Sequence, residues 1–156
     1  MNVRQMTALD IRLVAEVHRT VFSRQTMSRD WIQCNFNAYP RMQLFVAEEG
    51  GIIAGYILWT QKSGFRKTVV LELEQLAVAP DYQKKGIGKQ LVVESIPFVR
   101  ANLAERDAHL KHIIVTTRAD NNAQEFYKKI LRAETEATIV DLYSADEVFM
   151  IRRNIE

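Results

Sequence analysis

The sequence predicts a mixed α/β (α+β) fold, with a mostly antiparallel central sheet, helices on both faces, and elements in the order ααβββαβαββ. Three observations carry this prediction. Two apolar runs, 44–47 and 52–59, meet across Gly50-Gly51, which is a hairpin pattern. A strand, a long amphipathic helix and a second strand follow in the middle of the chain, a crossover that favours a parallel, right-handed pair. Two short segments close the chain around Ser144-Ala145-Asp146.

The elements follow in order. Thr7-Ala8-Leu9-Asp10 has capping-box spacing, and Val14, Val17 and Val21 fall on one face behind it, so 8–22 reads as a helix. Residues 28–38 read as a second helix, with Ser28 as cap and Pro40 beyond its end. The third strand, 67–78, alternates: Leu71 and Leu73 point one way, Glu72 and Glu74 the other. The central helix spans about 86–106. Its apolar face holds Leu91, Val92, Ile96, Phe98, Val99 and Leu103, and Pro97 inside it predicts a kink. His112–Thr117 is a short buried strand, 121–130 a helix, and 134–143 and 147–153 the last strands.

The chain has 156 residues, 47% of them apolar, which suits one domain over 1–156 with a real core. Its single cysteine, Cys34, permits no intrachain disulfide and fits a reducing, cytoplasmic setting. The first residues lack the apolar stretch of a secretory signal, and no run approaches the ~18 apolar residues of a membrane span. A net charge of +2 points globally to neither nucleic acid nor a membrane surface, so functional charge must be local.

The most informative stretch is Leu76–Lys89, where a strand gives way to a helix across Gln83-Lys84-Lys85-Gly86-Ile87-Gly88-Lys89. The first N–H groups of a helix lack internal partners and sit at the positive end of its dipole. Glycines let a ligand oxygen approach the backbone, and Lys84, Lys85 and Lys89 add positive charge. Such a loop is a seat for phosphate or pyrophosphate. Its plainer reading is a tight turn with solvated lysines. The nucleotide-triphosphate loop does not fit, because Gln90 follows Lys89 and the first glycine is absent. The dinucleotide fingerprint does not fit either, because Leu91 stands where it needs its third glycine.

Gln83-Lys84-Lys85-Gly86-Ile87-Gly88, preceded by Val78-Ala79-Pro80, resembles the acyl-CoA-binding motif of the GNAT N-acetyltransferase superfamily, Gln/Arg-x-x-Gly-x-Gly/Ala. A second block, Asn121-Asn122-Ala123-Gln124-Glu125-Phe126-Tyr127, is similar to that superfamily's later helix. Element order and block spacing agree along essentially the whole chain. The sequence departs from the pattern at Asp120, where many relatives have Asn, and at Ile130–Ala133, where Gly-Phe is usual.

The resemblance implies a parallel pair that splays into a wedge for acetyl-CoA, used as co-substrate and without a metal. Pantetheine would bond to the backbone of Leu76 and Val78, with Asn121 or Asn122 beside it. The pyrophosphate would take N–H groups from Gln83 to Gly88. The Val78 N–H would polarise the thioester carbonyl. The acceptor is an unidentified primary amine attacking directly, and dimers are frequent among relatives.

A lysine-like ammonium has a pKa near ~10.4, so freeing its lone pair at pH 7 costs about 4–5 kcal/mol and calls for a base. Relatives place that base on the third large strand, which makes Glu74, ahead of Glu72, the candidate. A solvated strand face, or pairing with Arg66 or Lys67, is the alternative. Tyr127 stands where relatives carry the tyrosine that protonates the leaving thiolate; packing under the sheet is its alternative.

The remaining polar residues read more plainly. Asn121 and Asn122 suit helix capping. His18 reads as a helix-surface residue, and His109 and His112 lack partners for a metal. Cys34 reads as buried bulk. Trp31, Phe36 and Tyr39 read as core, or as the roof of an acceptor pocket. Asp141, Asp146 and Glu147 hint at a cationic acceptor. A non-catalytic acyl-CoA-binding module is the second functional reading. A nucleic-acid-binding domain is disfavoured, because three lysines without interleaved aromatics make no stacking groove.

Overall fold

A computed structural model of the protein describes residues 1–155. Its elements are β1 (Asn2–Gln5), α1 (Ile11–Val21), α2 (Ser28–Asn37), β2 (Met42–Glu49), β3 (Ile52–Gln61), β4 (Thr68–Val78), α3 (Ile87–Ala104), β5 (His109–Arg118), α4 (Ala123–Ile130), β6 (Glu134–Ile139) and β7 (Glu147–Arg152). The strands form one sheet in the order β1-β2-β3-β4-β5-β7-β6. Every neighbouring pair is antiparallel except β4 and β5, which run parallel across the α3 crossover.

The sheet separates two apolar layers. On one face α3 and α4 cover Phe45, Ile57, Trp59, Leu71, Leu73 and Ile113, with Leu91, Val99, Leu103 and Tyr127 facing them. On the other, α1 and α2 bring Val14, Val17 and Ile32 onto Leu44, Val46, Tyr56, Leu58 and Ala77. Gly55 marks where two strands close tightly: a Cβ there would lie 2.6 Å from the Ala77 carbonyl oxygen of β4.

Several local expectations are corrected. The chain opens with a strand: β1 pairs with β2 and buries Val3. The capping box is present, with the Thr7 N–H donating to the Asp10 carboxylate at 2.8 Å, but Ala8–Asp10 is a 3-10 turn and α1 begins at Ile11. Arg4 from β1 grips the same carboxylate at 2.8 and 2.9 Å. This charge-assisted bond, aided by the Thr7 donors, holds the Asp10 acid at about 2 despite its burial. Ser28 is the first residue of α2, and Met27 in left-handed conformation is the cap; the Ser28 hydroxyl turns to His18 instead. α3 runs unbroken from Ile87 to Ala104, with Pro97 on its exposed side and Phe98 at its margin, against Phe45. β5 starts at His109, three residues before its predicted start, and β6 stops at Ile139, four before its predicted end.

Candidate active site

β4 and β5 pair only from Thr68↔His109 to Glu72↔Ile114. Beyond that β5 bonds β7 alone, while β4 runs on to Val78 against β3. The pair therefore opens into a wedge whose β4 wall is a free edge. The Ala79 N–H donates to the Ala54 carbonyl of β3 at 2.8 Å. Antiparallel alternation then directs the backbone groups of Ala77 and Gln75 to β3, and those of Leu76 and Val78 into the wedge. On that edge the Val78 carbonyl accepts the Gln83 amide at 3.0 Å.

A bulge adjusts the strand at the wedge mouth. Leu58 faces Gln75 and Trp59 faces Leu73, leaving Glu74 as an extra residue without a partner on β3. The simple alternation of 67–78 therefore breaks at Glu74. Gln75 and Ala77 join Glu72 on the α1–α2 face, while Leu76 and Val78 turn to the α3 face with Leu71 and Leu73.

The loop after β4 is built to leave donors unpaired. Lys84 and Gly86 both take left-handed φ, 61° and 82°, and Gly86 caps α3. The first helical bond is from Gln90 N–H to the Gly86 carbonyl, 3.0 Å. Among the described residues no acceptor meets the backbone N–H groups of Lys84, Lys85, Gly86, Ile87, Gly88 or Lys89. Lys84, Lys85 and Lys89 are exposed around them. Lys85 is held near the loop by the Asp81 carbonyl, 2.8 Å, and the Tyr82 ring. Ile87 is buried and pins the helix start to the core. Six N–H groups without an acceptor among the described residues, a helix N-terminus and three lysines stand together beside the wedge, an arrangement that suits an anion.

α4 faces this seat. Phe126 lies against Gly88, and Tyr127 packs edge-to-face on Phe126. Tyr127 is 9% exposed, and burial pushes its phenol up to about 12. Its hydroxyl has no hydrogen-bond partner among the described residues. The Asn121 side-chain oxygen accepts from the Ala123 N–H at 3.0 Å and from the Thr117 hydroxyl at 3.3 Å, tying the start of α4 to the end of β5. Asn122 makes no side-chain cap bond.

The two carboxylates of β4 differ. Glu72 pairs with Lys62 at 2.8 Å, rather than with Arg66 or Lys67. Glu74 makes no ion pair among the described residues, and its side chain reaches solvent at the wedge mouth. The protein packed around it, and the nearby charge of Glu72, raise its acid above the ordinary carboxylate value against the pull of Lys62 and Arg41.

Sequence reasoning missed a polar network next to these groups. The Trp31 indole N–H and the Tyr56 hydroxyl both donate to the Gln75 side-chain carbonyl, at 2.9 and 2.8 Å. An indole N–H only donates, so the Gln75 amide orientation is fixed and its NH2 remains available. The bulge that turns Gln75 inward leaves no trace in a regular-looking strand.

Other readings change too. His18 is fully buried between Ser28 Oγ, 2.7 Å, and Gln25 Oε1, 3.0 Å, and its burial lowers its pKa. Trp31 stacks on it, and so belongs to the network rather than to plain core. Cys34 is exposed rather than buried. Phe36 and Tyr39 line a cavity with Met6, Met42 and Leu44. Glu147 is buried, and the Asp146 carboxylate accepts the Asp141 N–H, so these acids are partly spent within the protein.

With this geometry in place, the comparisons with known proteins are decisive. Residues 40–130 match the family model described as Acetyltransferase (GNAT) domain. The chain belongs to the GNAT acetyltransferase family. This GNAT chain is 30% identical over 115 residues to the L-amino acid N-acyltransferase MnaT of Escherichia coli (strain K12), a match covering 64% of this chain and 63% of that protein. Among solved structures it resembles an aminoglycoside 6'-N-acetyltransferase complexed with coenzyme A, at a TM-score of 0.77 and 16% identity over 100% of this chain and 98% of that one. It also resembles the ribosomal-protein-S18-alanine N-acetyltransferase of Escherichia coli, at 0.74 and 18% over 98% and 93%. At those identities the likeness speaks for the fold, and it includes the GNAT sheet with its parallel β4–β5 pair. No helix among the described residues is long and apolar enough to cross a membrane.

Proposed function

We propose that this GNAT protein transfers the acetyl group of acetyl-CoA to a primary amine by direct attack in a ternary complex. The observation that carries this reading is the row of six unpaired N–H groups, Lys84 to Lys89, opening α3 beside the free β4 edge. Nothing among the described residues satisfies these donors, and a pyrophosphate satisfies several at once. Lys84, Lys85 and Lys89 add charge from the rim. Leu76 and Val78 offer a strand edge to the pantetheine amides, so that it docks as an added strand. Asn121 and Asn122, at the start of α4, lie beside the pantetheine in this reading.

The chemistry then falls to few groups. The Val78 N–H, fixed in the wedge, stabilises the oxyanion as the amine attacks the thioester carbonyl. Glu74 takes the proton of the incoming ammonium, directly or through a water. Its raised acid makes it a stronger base than an ordinary carboxylate. Glu72 is the secondary candidate, because Lys62 already occupies it. Tyr127, protonated at neutral pH with its acid at about 12, donates to the departing thiolate. Gln75, locked by Trp31 and Tyr56, holds the bulge that presents Glu74.

Two measurements test this. Titration of acetyl-CoA reports binding, and free-thiol release against a panel of primary amines reports transfer. Tight binding with no thiol released by any amine would leave a coenzyme-binding module and end the catalytic reading.

A further inference from the structure

A groove outside the coenzyme wedge runs along the α1–α2 face of the sheet, over the paired halves of β4 and β5. Its volume is about 830 Å³, within the ~300–1,000 Å³ of ligand-binding clefts. Its floor is the half-buried Val70, Ile114 and Phe149, which register places on the same face as Glu72. Its walls are Lys62, Arg66, Lys67, Lys111 and His112, and no Asp or Glu among the described residues lines it. Two of these cations are compensated from outside, Lys62 by Glu72 at 2.8 Å and Lys67 by Asp107 at 2.7 Å. Arg66 bonds only the Ser63 carbonyl, at 2.8 Å, and Lys111 makes no ion pair among the described residues.

We infer that this groove binds the body of the acceptor, and that the acceptor is an acidic peptide. The inference rests on the acetyl-transfer reading and names its substrate class. The groove leads to the carboxylates of that reading, since Lys62 at its inner end touches Glu72 and acts on Glu74. An ammonium suits the Glu72–Glu74 end, and anionic groups suit Arg66 and Lys111, which no carboxylate pairs among the described residues. Charge complementarity of this kind selects partners and speeds their encounter. Length favours a peptide over a free amino acid. Glu74 and Val70 are separated by four steps of strand, about 13 Å at ~3.3 Å per residue. Free aspartate or glutamate places its carboxylates far short of that. An extended peptide covers it in about four residues, so the third to fifth residues from the reacting amine carry the acidic side chains.

The test uses lysine-free hexapeptides with a free amino terminus, bearing Asp and Glu at residues 3–5 or Asn and Gln in their place, together with free aspartate and glutamate. The acidic hexapeptide gives kcat/KM roughly tenfold above its neutral counterpart, as two rim ion pairs of ordinary strength provide. The preference shrinks in high salt, and the free amino acids gain nothing from their charge. Arg66→Glu combined with Lys111→Glu removes or inverts the preference while acetyl-CoA affinity is retained. Equal rates for the two hexapeptides, or a preference that survives the double substitution, overturns the inference and leaves acetyl transfer standing. Calorimetric binding of the hexapeptides to the coenzyme-saturated protein separates the opposite case. If no peptide is acetylated, yet the acidic one binds and the double variant loses it, the groove stands as a peptide site but its occupant is not the acceptor, which overturns the inference and leaves the transfer reading to the amine panel.

Discussion

Gly86 is where the phosphate seat is most exposed to a single change. Its φ of +82° lies in the left-handed region, and a Cβ built there meets nothing within 4 Å. Gly86→Val therefore clashes with no neighbour within the protein, and its cost to the fold comes through the backbone. Left-handed conformation costs a side chain about 1–2 kcal/mol, more for a β-branched one. Either the loop keeps its shape and the protein loses that stability, a fall of about 2–6 °C in Tm for a chain of this size, or the loop relaxes and its N–H groups turn away. The first sets a side chain in the path of the ligand oxygens and the second removes the donors, so both weaken coenzyme binding, and neither unfolds the protein. Gly88→Ala is the matched control. Its added Cβ would point at Phe126 Cζ, 3.7 Å, and Leu76 Cδ2, 3.8 Å, at ordinary contact distance and away from the donors. That change retains the seat, and replacing a helical glycine adds up to about 1 kcal/mol of stability. The assay is calorimetric titration of acetyl-CoA alongside thermal unfolding. Gly86→Val binding as tightly as the parent, or Gly88→Ala losing affinity in its place, would refute the reasoning.

Three further outcomes are expected. Glu74→Gln lowers kcat by at least about tenfold; because the proposed base works deprotonated and the Glu74 acid is raised, the parent's rate climbs with pH through a value above the usual carboxylate range, and the variant lacks that limb. Tyr127→Phe lowers kcat with little change in KM or Tm, because its hydroxyl bonds no described residue; a loss of stability without a loss of kcat would make it a packing residue. Asp10, at about 2 when folded and near 3.8 otherwise, contributes about 2 kcal/mol that is fully present above the unfolded value and lost as pH falls through the folded one; urea unfolding of the parent and Asp10→Asn should differ by that amount at pH 7 and converge near pH 2.

Much of this was legible in the sequence, and the unread parts have physical causes. The Gly50-Gly51 hairpin, the central crossover and the two motif blocks are local patterns, and each lies where the chain order placed it. β1 escaped because only Val3 of its four residues is buried, and pairing with β2 rather than its own pattern makes it a strand. The insertion of β7 between β5 and β6 is a choice of partner, which periodicity does not encode. The bulge at Glu74 sits inside an alternation that reads as regular, so Gln75 and its bonds to Trp31 and Tyr56 went unseen. His18 and Ser28 were misread together: apart they suggest a surface residue and a cap, and only the meeting of α1 and α2 makes them a buried pair. The loop that opens α3 is legible because its parts are consecutive, whereas the basic groove draws on three strands and a loop and is not.

The central claim is a claim about hydrogens, and amide exchange reads them one by one. With saturating coenzyme A, the backbone amides from Lys84 to Lys89, which have no acceptor among the described residues, should slow markedly in exchange while those of the distant β6 edge stay as they were. Unchanged exchange across those six positions, at a coenzyme concentration shown to saturate the protein, would contradict it.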